Sequence, residues 1–244
     1  MLDVAPSKLQ SYDCVAAEYY DAHRHPTCAN FAELSQRFLA PRIRELLGPH
    51  IRIAEIGAGR SITAPILAKA LLPLDRLVLL DRSSVMLSYS VQWACRGTKL
   101  LIADARATAL SDSTFDVVVS ALGDPYNTPP FWRETARLLA PGGICLFTSP
   151  AWEWAIRFRG PQTITQAEFL LDGNRRVIVP SFVLPAERQI KMVADSGLDL
   201  VEIVDLSRTD LTQHISAKLD LDNGATKMPV VRGFTIHKPN FKLY

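Results

Sequence analysis

Between residues 51 and 148 the chain repeats one pattern: a short continuous apolar run, a turn, a helix-like stretch, then another apolar run. The runs span 51–56, 77–80, 99–103, 115–119 and 144–148. A strand with one face in water alternates apolar and polar residues, whereas a strand covered on both faces is apolar throughout. The pattern therefore predicts an α/β fold: a Rossmann-like, doubly wound, mostly parallel sheet with helices on both faces.

The stretches between the runs read as helices over 61–72, from a cap at Ser83 or Ser84 to about 95, and over 129–140. The last has proline in its first turn, where the missing N–H costs little. Pro141-Gly142-Gly143 reads as a turn before the fifth strand. Upstream, residues 7–47 read as helical, with a break at Pro41 and a stop at Gly48-Pro49. After Pro150 the pattern changes. Residues 152–159 favour neither helix nor strand, and 169–171 and 177–179 flank Asp172-Gly173-Asn174 as a hairpin. A helix over 186–196 stops at Gly197, strands over 198–204 and 230–236 complete a seven-stranded sheet, and the polar stretch 205–228 has no clear assignment. The whole chain is expected to be one domain, 1–244. Its parts are an N-terminal helical lid (1–48), a core (49–150), a cap insertion (151–185) and the C-terminal part of the sheet (186–244).

The 27 basic and 25 acidic residues nearly cancel, which gives no electrostatic case for a polyanionic partner and counts against nucleic acid. Cys14, Cys28, Cys95 and Cys145 are widely spread, the usage of a reduced compartment, and offer no metal-ligand spacing. Residues 1–10 lack the apolar centre of a signal peptide, and no run approaches the roughly 20 apolar residues of a membrane helix. A cytoplasmic protein without a membrane partner is the expectation; a homo-oligomer is compatible with it.

Chemistry concentrates where the strands end. Glu55-Ile56-Gly57-Ala58-Gly59 closes the first strand, and its glycines let the backbone turn sharply and approach a ligand. A dinucleotide site needs a third small residue, but that position is Ile62, and an acid before the first glycine suits a cationic ligand better than a pyrophosphate. Asp81 ends the second strand, where a carboxylate can accept both hydroxyls of a ribose or can cap the next helix. Asp104 ends the third; it can accept from an adenine amino group while Ala105 offers its N–H to a ring nitrogen, or it can be an ordinary loop aspartate. Three acids on three consecutive strand ends mark one ligand-binding edge.

With these features in order, the sequence resembles the class I S-adenosylmethionine-dependent methyltransferases, in particular the small stand-alone members that act on small molecules. The resemblance runs over residues 12–206, on AEIGAGRS, LLDRSSVML, IADA, FDVVVSALG and ARLLAPGGICLF, with YDCVAAEYYD upstream. It implies S-adenosylmethionine as cofactor. The backbone of Gly57, Ala58 and Gly59 would pass the methionine part, with Glu55 close by. Asp81 would hold the ribose, Arg82 and Met86 would flank the adenine, and Asp104 and Ala105 would read its edge. Ser120 and Ala121 would line the methionine side near the sulfonium, and Tyr12 and Tyr19 would close the pocket from above. Arg60-Ser61 stands where many relatives have another glycine, and Arg82 where many have an apolar residue.

The resemblance implies methyl transfer to an O, N or C atom, with a small-molecule acceptor as the leading expectation. RNA or protein acceptors, or a cofactor-binding protein without catalysis, are the alternatives. His23 and His25 are candidate bases, but no catalytic residue is assigned. Asp124-Pro125-Tyr126 is similar to the motif of base amino-methyltransferases but lacks its second proline and lies late, so a loop facing the substrate is the expectation there. Trp152, Trp154, Phe158 and Phe169 are candidates for an apolar acceptor wall or for a satellite core.

Overall fold

The computed structural model describes residues 9–159, 165–212, 214–219 and 227–240. Its centre is a seven-stranded sheet in the order β3-β2-β1-β4-β5-β9-β8. The strands are β1 (Ile53–Ile56), β2 (Leu77–Asp81), β3 (Lys99–Ile102), β4 (Phe115–Ser120), β5 (Leu139–Pro150), β8 (Asp199–Ser207) and β9 (Pro229–His237). The first five are parallel, and β9 is antiparallel to both β5 and β8. β1 pairs with β2 on one side and β4 on the other, so the winding reverses at the carboxyl end of β1. In an open α/β sheet that reversal leaves a crevice at the strand ends, the usual place for a ligand.

Apolar residues on both faces of the central strands explain the two cores. On one face α2 (Pro26–Leu46) and α3 (Thr63–Lys69) bury Leu34, Phe38, Ile43 and Leu67 with Ile53, Leu77 and Val117. On the other, α5 (Pro129–Leu138) and α7 (Ala186–Ala194) bury Phe131, Trp132, Leu138 and Val193 with Ala54, Val118 and Phe147. At about 25 cal/mol per Å², each such fully buried large side chain contributes about 1.5–3 kcal/mol. α2 packs closely on Gly233 of β9: a Cβ there would lie 2.5 Å from the Phe38 ring.

Several sequence expectations are corrected. Pro41 does not break the helix; α2 runs through it, because Phe38, Leu39, Ala40 and Ile43 around it are buried and their packing outweighs the lost hydrogen bond. Pro141-Gly142-Gly143 is not a turn outside the sheet. β5 begins at Leu139, and the register jumps from Phe115–Leu139 to Val117–Ile144, so the extra residues form a bulge with Gly142 at φ +79°. Residues 152–159 do form a helix, α6 (Trp152–Arg159), which buries Trp154 and Ala155. The N-terminal region is not one helix: a 3-10 turn at Tyr12–Cys14 and the single turn α1 (Ala16–Tyr19) precede α2. The expected hairpin is present as β6 (Gln166–Leu170) paired with β7 (Arg176–Pro180). α4 is short, Ser84–Ser88, and a 3-10 helix, Val91–Arg96, continues from it. Residues 7–8, 160–164, 213 and 220–226 of the expected segments lie outside the described residues.

Candidate active site

At the carboxyl ends of β1, β2 and β4 lies a cavity of about 920 Å³, the upper part of the usual range for a small-molecule site. Its edge is set by the sequence of each strand end. After Ile56 the chain turns through Gly57 at φ +67° and Gly59 at φ +40°. The Glu55 carboxylate, fully buried, does not point at the cavity centre but caps α3. It accepts from Ser61 Oγ at 2.5 Å, Ile62 N at 2.9 Å and Thr63 N at 3.1 Å. Burial raises its pKa against those donors.

Asp81 ties two strand ends together. Its Oδ2 accepts from Gly59 N at 3.0 Å and its Oδ1 from Ser83 N at 2.9 Å. Each oxygen keeps a lone pair, so the carboxylate retains capacity for a diol. Burial raises its pKa. Ser83 caps α4, taking Met86 N at 3.0 Å. Asp104 is held by Arg106, which donates from Nε at 2.8 Å and Nη2 at 2.6 Å, and the pair lowers the Asp104 pKa to about 2. Arg82 Nη1 approaches the same carboxylate at 3.7 Å.

Of the residues expected at the site, Tyr12, Tyr19, Glu55, Gly57, Ala58 and Asp81 line the cavity, as do Arg82, Met86, Asp104, Ala105 and Ala121. Gly59 and Ser120 stand one step behind the wall, each covered by a tyrosine hydroxyl. The Tyr20 hydroxyl accepts Arg60 N at 2.7 Å and lies 2.2 Å from where a Cβ of residue 59 would be. The Tyr126 hydroxyl donates to Ile56 O at 2.7 Å, lies 2.9 Å from Ser120 Oγ, and is 2.2 Å from a Cβ on residue 57. Burial pushes the Tyr20 pKa up to about 12 and that of Tyr126 still higher, so both remain protonated near neutrality.

The roof joins two distant segments. Gln10 N donates to Ile178 O at 2.7 Å, extending the hairpin along its β7 edge. Val15, Phe169, Val177 and Val179 form a small core, with Tyr12 and Tyr19 packed against it. Tyr12 and Tyr19 meet edge-to-face at 6.1 Å, and Tyr19 and Tyr20 at 5.0 Å. The N-terminal piece is fastened to α4 by a hydrogen bond from the Ser83 hydroxyl to the Asp13 carboxylate and by Tyr89 Oη to Ala16 O at 2.9 Å.

Sequence reading gives Tyr20 and Asp13 no role of their own at the site, and Tyr126, in the loop expected to face the substrate, lines the cavity. The signal was the doubled tyrosine at 19–20 and the pairing of two glycines with two aromatic hydroxyls, which no single motif carries. His23 and His25 do not line the cavity: His23 is exposed, and His25 packs 5.5 Å from the Phe169 ring with its pKa lowered by burial. The Asp124 carboxyl is buried away from the lining, accepting from the Ser181 hydroxyl, so Asp124 and Tyr126 do not converge on one ligand position. Trp154 and Phe158 stack at 5.3 Å over α2 and not on the cavity, and Trp154 meets Phe31 at 4.9 Å.

Residues 54–147, which contain this whole strand-end array, match the family model described as a methyltransferase domain. Over this segment the chain is similar to methyltransferase domains. No curated protein matches its sequence. The fold of the domain recurs in a chain of the complex between the Haloferax volcanii Trm112 methyltransferase activator and a candidate methyltransferase. That match has 16% identity, covers 96% of this chain and 98% of that one, and gives a TM-score of 0.66. An S-adenosylmethionine dependent methyltransferase from Mesorhizobium loti is similar at 17% identity, over 83% of this chain and 99% of that one, with a TM-score of 0.56. The [4+2]-cyclase SpnF also shares the fold, at 18% identity, over 84% of this chain and 81% of that one, with a TM-score of 0.56. The methyltransferase fold by itself therefore does not name the reaction; the site residues must.

Proposed function

We propose that this chain transfers the methyl group of S-adenosylmethionine to a small-molecule acceptor inside the roofed cavity. One observation carries the reading: Asp81, Asp104-Ala105, the Gly57 turn and Ala121 line one edge of a single cavity. The fit rests on the spare lone pairs of Asp81, which match a vicinal diol, and on Met86 and Ala105, buried apolar groups that suit a flat base. Asp81 takes the ribose, Ala105 and Asp104 the adenine edge, and Ala58 and Ala121 the methionine side.

When bound, the cofactor supplies a methyl group activated by a sulfonium. The protein's task is alignment, which contributes up to roughly 7–11 kcal/mol in well-oriented systems. Asp81 and the glycine turn hold one partner in place, and the roof keeps water out. The roof also favours a small acceptor, since a polymer needs an open groove across the strand ends.

The test is calorimetric titration with S-adenosylmethionine, followed by incubation of the protein and methyl-labelled cofactor with a fractionated cell extract. The expected result is binding, with label entering the low-mass fraction. Label in protein or RNA overturns the acceptor class. Absence of binding overturns the cofactor assignment.

A further inference from the structure

The cavity has a second wall that the cofactor residues do not explain. α2 presents Ala32, Ser35 and Gln36, which at a spacing of three and four lie on one helix face. Opposite stand Ile62 and Pro65 at the start of α3, and Leu122 in the loop after β4. None of these six residues is ionisable, whereas the cofactor edge carries Glu55, Asp81, Arg82, Asp104 and Arg106. Arg60 also lines the cavity, and its guanidinium keeps its charge while packing over the rings of Tyr20 at 4.3 Å and Tyr89 at 5.5 Å.

The polar groups of the second wall are already satisfied, with one exception. Ser35 Oγ bonds Thr148 Oγ1 at 2.9 Å, and Leu122 N donates to the same Thr148 oxygen at 2.9 Å. Thr148 O takes Gly123 N at 2.9 Å, so the wall is a preformed unit. It holds Leu122 at φ +51°, a left-handed conformation costing about 1–3 kcal/mol, which persists only where surroundings over-determine it. The Gln36 amide makes no hydrogen bond among the described residues. Trp93, also in the lining, adds an aromatic face.

Against these six residues an ion gains no opposite charge to set against the hydration it gives up, whereas an uncharged molecule gives up little. We propose that the acceptor is an uncharged, mainly apolar molecule seated between α2, α3 and Leu122, with one hydroxyl or carbonyl oriented by the Gln36 amide. The proposal builds on the cavity being a methyl-transfer site.

Four probes sharing one ring system separate charge from shape: 1-naphthol, 1-methylnaphthalene, 1-naphthoate and 1-naphthylmethylammonium. Binding is followed by quenching of tryptophan fluorescence, with and without saturating S-adenosylhomocysteine. The expected result is that 1-naphthol binds at least ten-fold tighter than either ion. Gln36→Leu should weaken 1-naphthol several-fold and leave 1-methylnaphthalene unchanged. Ala32→Arg, at an exposed helical position that tolerates substitution, should favour 1-naphthoate over 1-naphthol. Equal or tighter binding of either ion to the native protein overturns the proposal, as does 1-naphthol binding that ignores both substitutions. Failure of S-adenosylhomocysteine to bind is a separate result: it overturns the cofactor assignment, while the probes still report the charge preference of the wall.

Discussion

The Tyr20 hydroxyl accepts the backbone N–H of Arg60 while filling the space a side chain at residue 59 would need. Gly59 is thus required by a tyrosine of the same chain. Tyr20→Phe should cost about 0.5–1.5 kcal/mol, the net value of one hydrogen bond, read as a lower melting temperature. Gly59→Ala should cost more, because it adds a positive-φ penalty to the displacement of the ring. Equal melting temperatures for both variants and the native protein would remove this coupling.

Gly57 and Tyr126 stand in the same relation across the turn, and they allow a sharper test. Gly57→Ala should destabilise by about 2–4 kcal/mol, since it drives out the Tyr126 hydroxyl and its bond to Ile56 O. Adding Tyr126→Ala should make the second change cheaper than it is alone. Strict additivity in denaturant melts would show that the two residues do not compete for one space.

Asp81→Asn keeps the shape and removes the charge from a carboxylate whose pKa burial has raised. Stability at neutral pH should fall, because the amide nitrogen cannot accept a backbone N–H and only one of the bonds from Gly59 N and Ser83 N survives. Affinity for S-adenosylhomocysteine should fall at least ten-fold, which is about 1.4 kcal/mol. Unchanged affinity by calorimetry would take the ribose role away from this residue.

Two buried acids give stability of opposite pH dependence. Asp124 is raised from 3.8 to about 6 by desolvation. Its contribution is therefore fully present below pH 3.8 and is lost as pH rises through 6. Asp124→Asn should gain on the native protein by about 1–3 kcal/mol between pH 4 and pH 7. Glu134 is lowered from 4.5 to about 2 by Arg137 and by its bonds to Thr108. Its contribution is present above pH 4.5 and lost as pH falls toward 2, so Glu134→Gln should flatten acid unfolding in that window. Melting temperatures across pH 3–8 check both signs.

How much of this was legible in the sequence depends on the range of the interactions involved. The five parallel strands were readable because burial on both faces leaves an unbroken apolar run, and the places of Asp81 and Asp104 at the strand ends followed from where those runs stop. Pro41 misled because a local rule was overridden by the packing of Phe38 and Ile43 beneath it. The bulge at Gly142 was hidden because it exists only in register with Asp116 on another strand. The roles of Tyr20 and Tyr126 escaped because they lie in contacts with Gly59 and Gly57, 39 and 69 residues away in the chain.

The bond from Gln10 N to Ile178 O joins residues 168 positions apart. Closing a loop that long is entropically costly, and the contact is among the most non-local in the protein. On the ribosome, β1 to β4 and the glycine turn can form while most of the cap is still unmade. Tyr12 must then wait for Phe169 and the hairpin to emerge before the roof can dock. The strand-end edge of the pocket therefore exists earlier in the life of the chain than its enclosure, and a ligand present during synthesis meets an open crevice first.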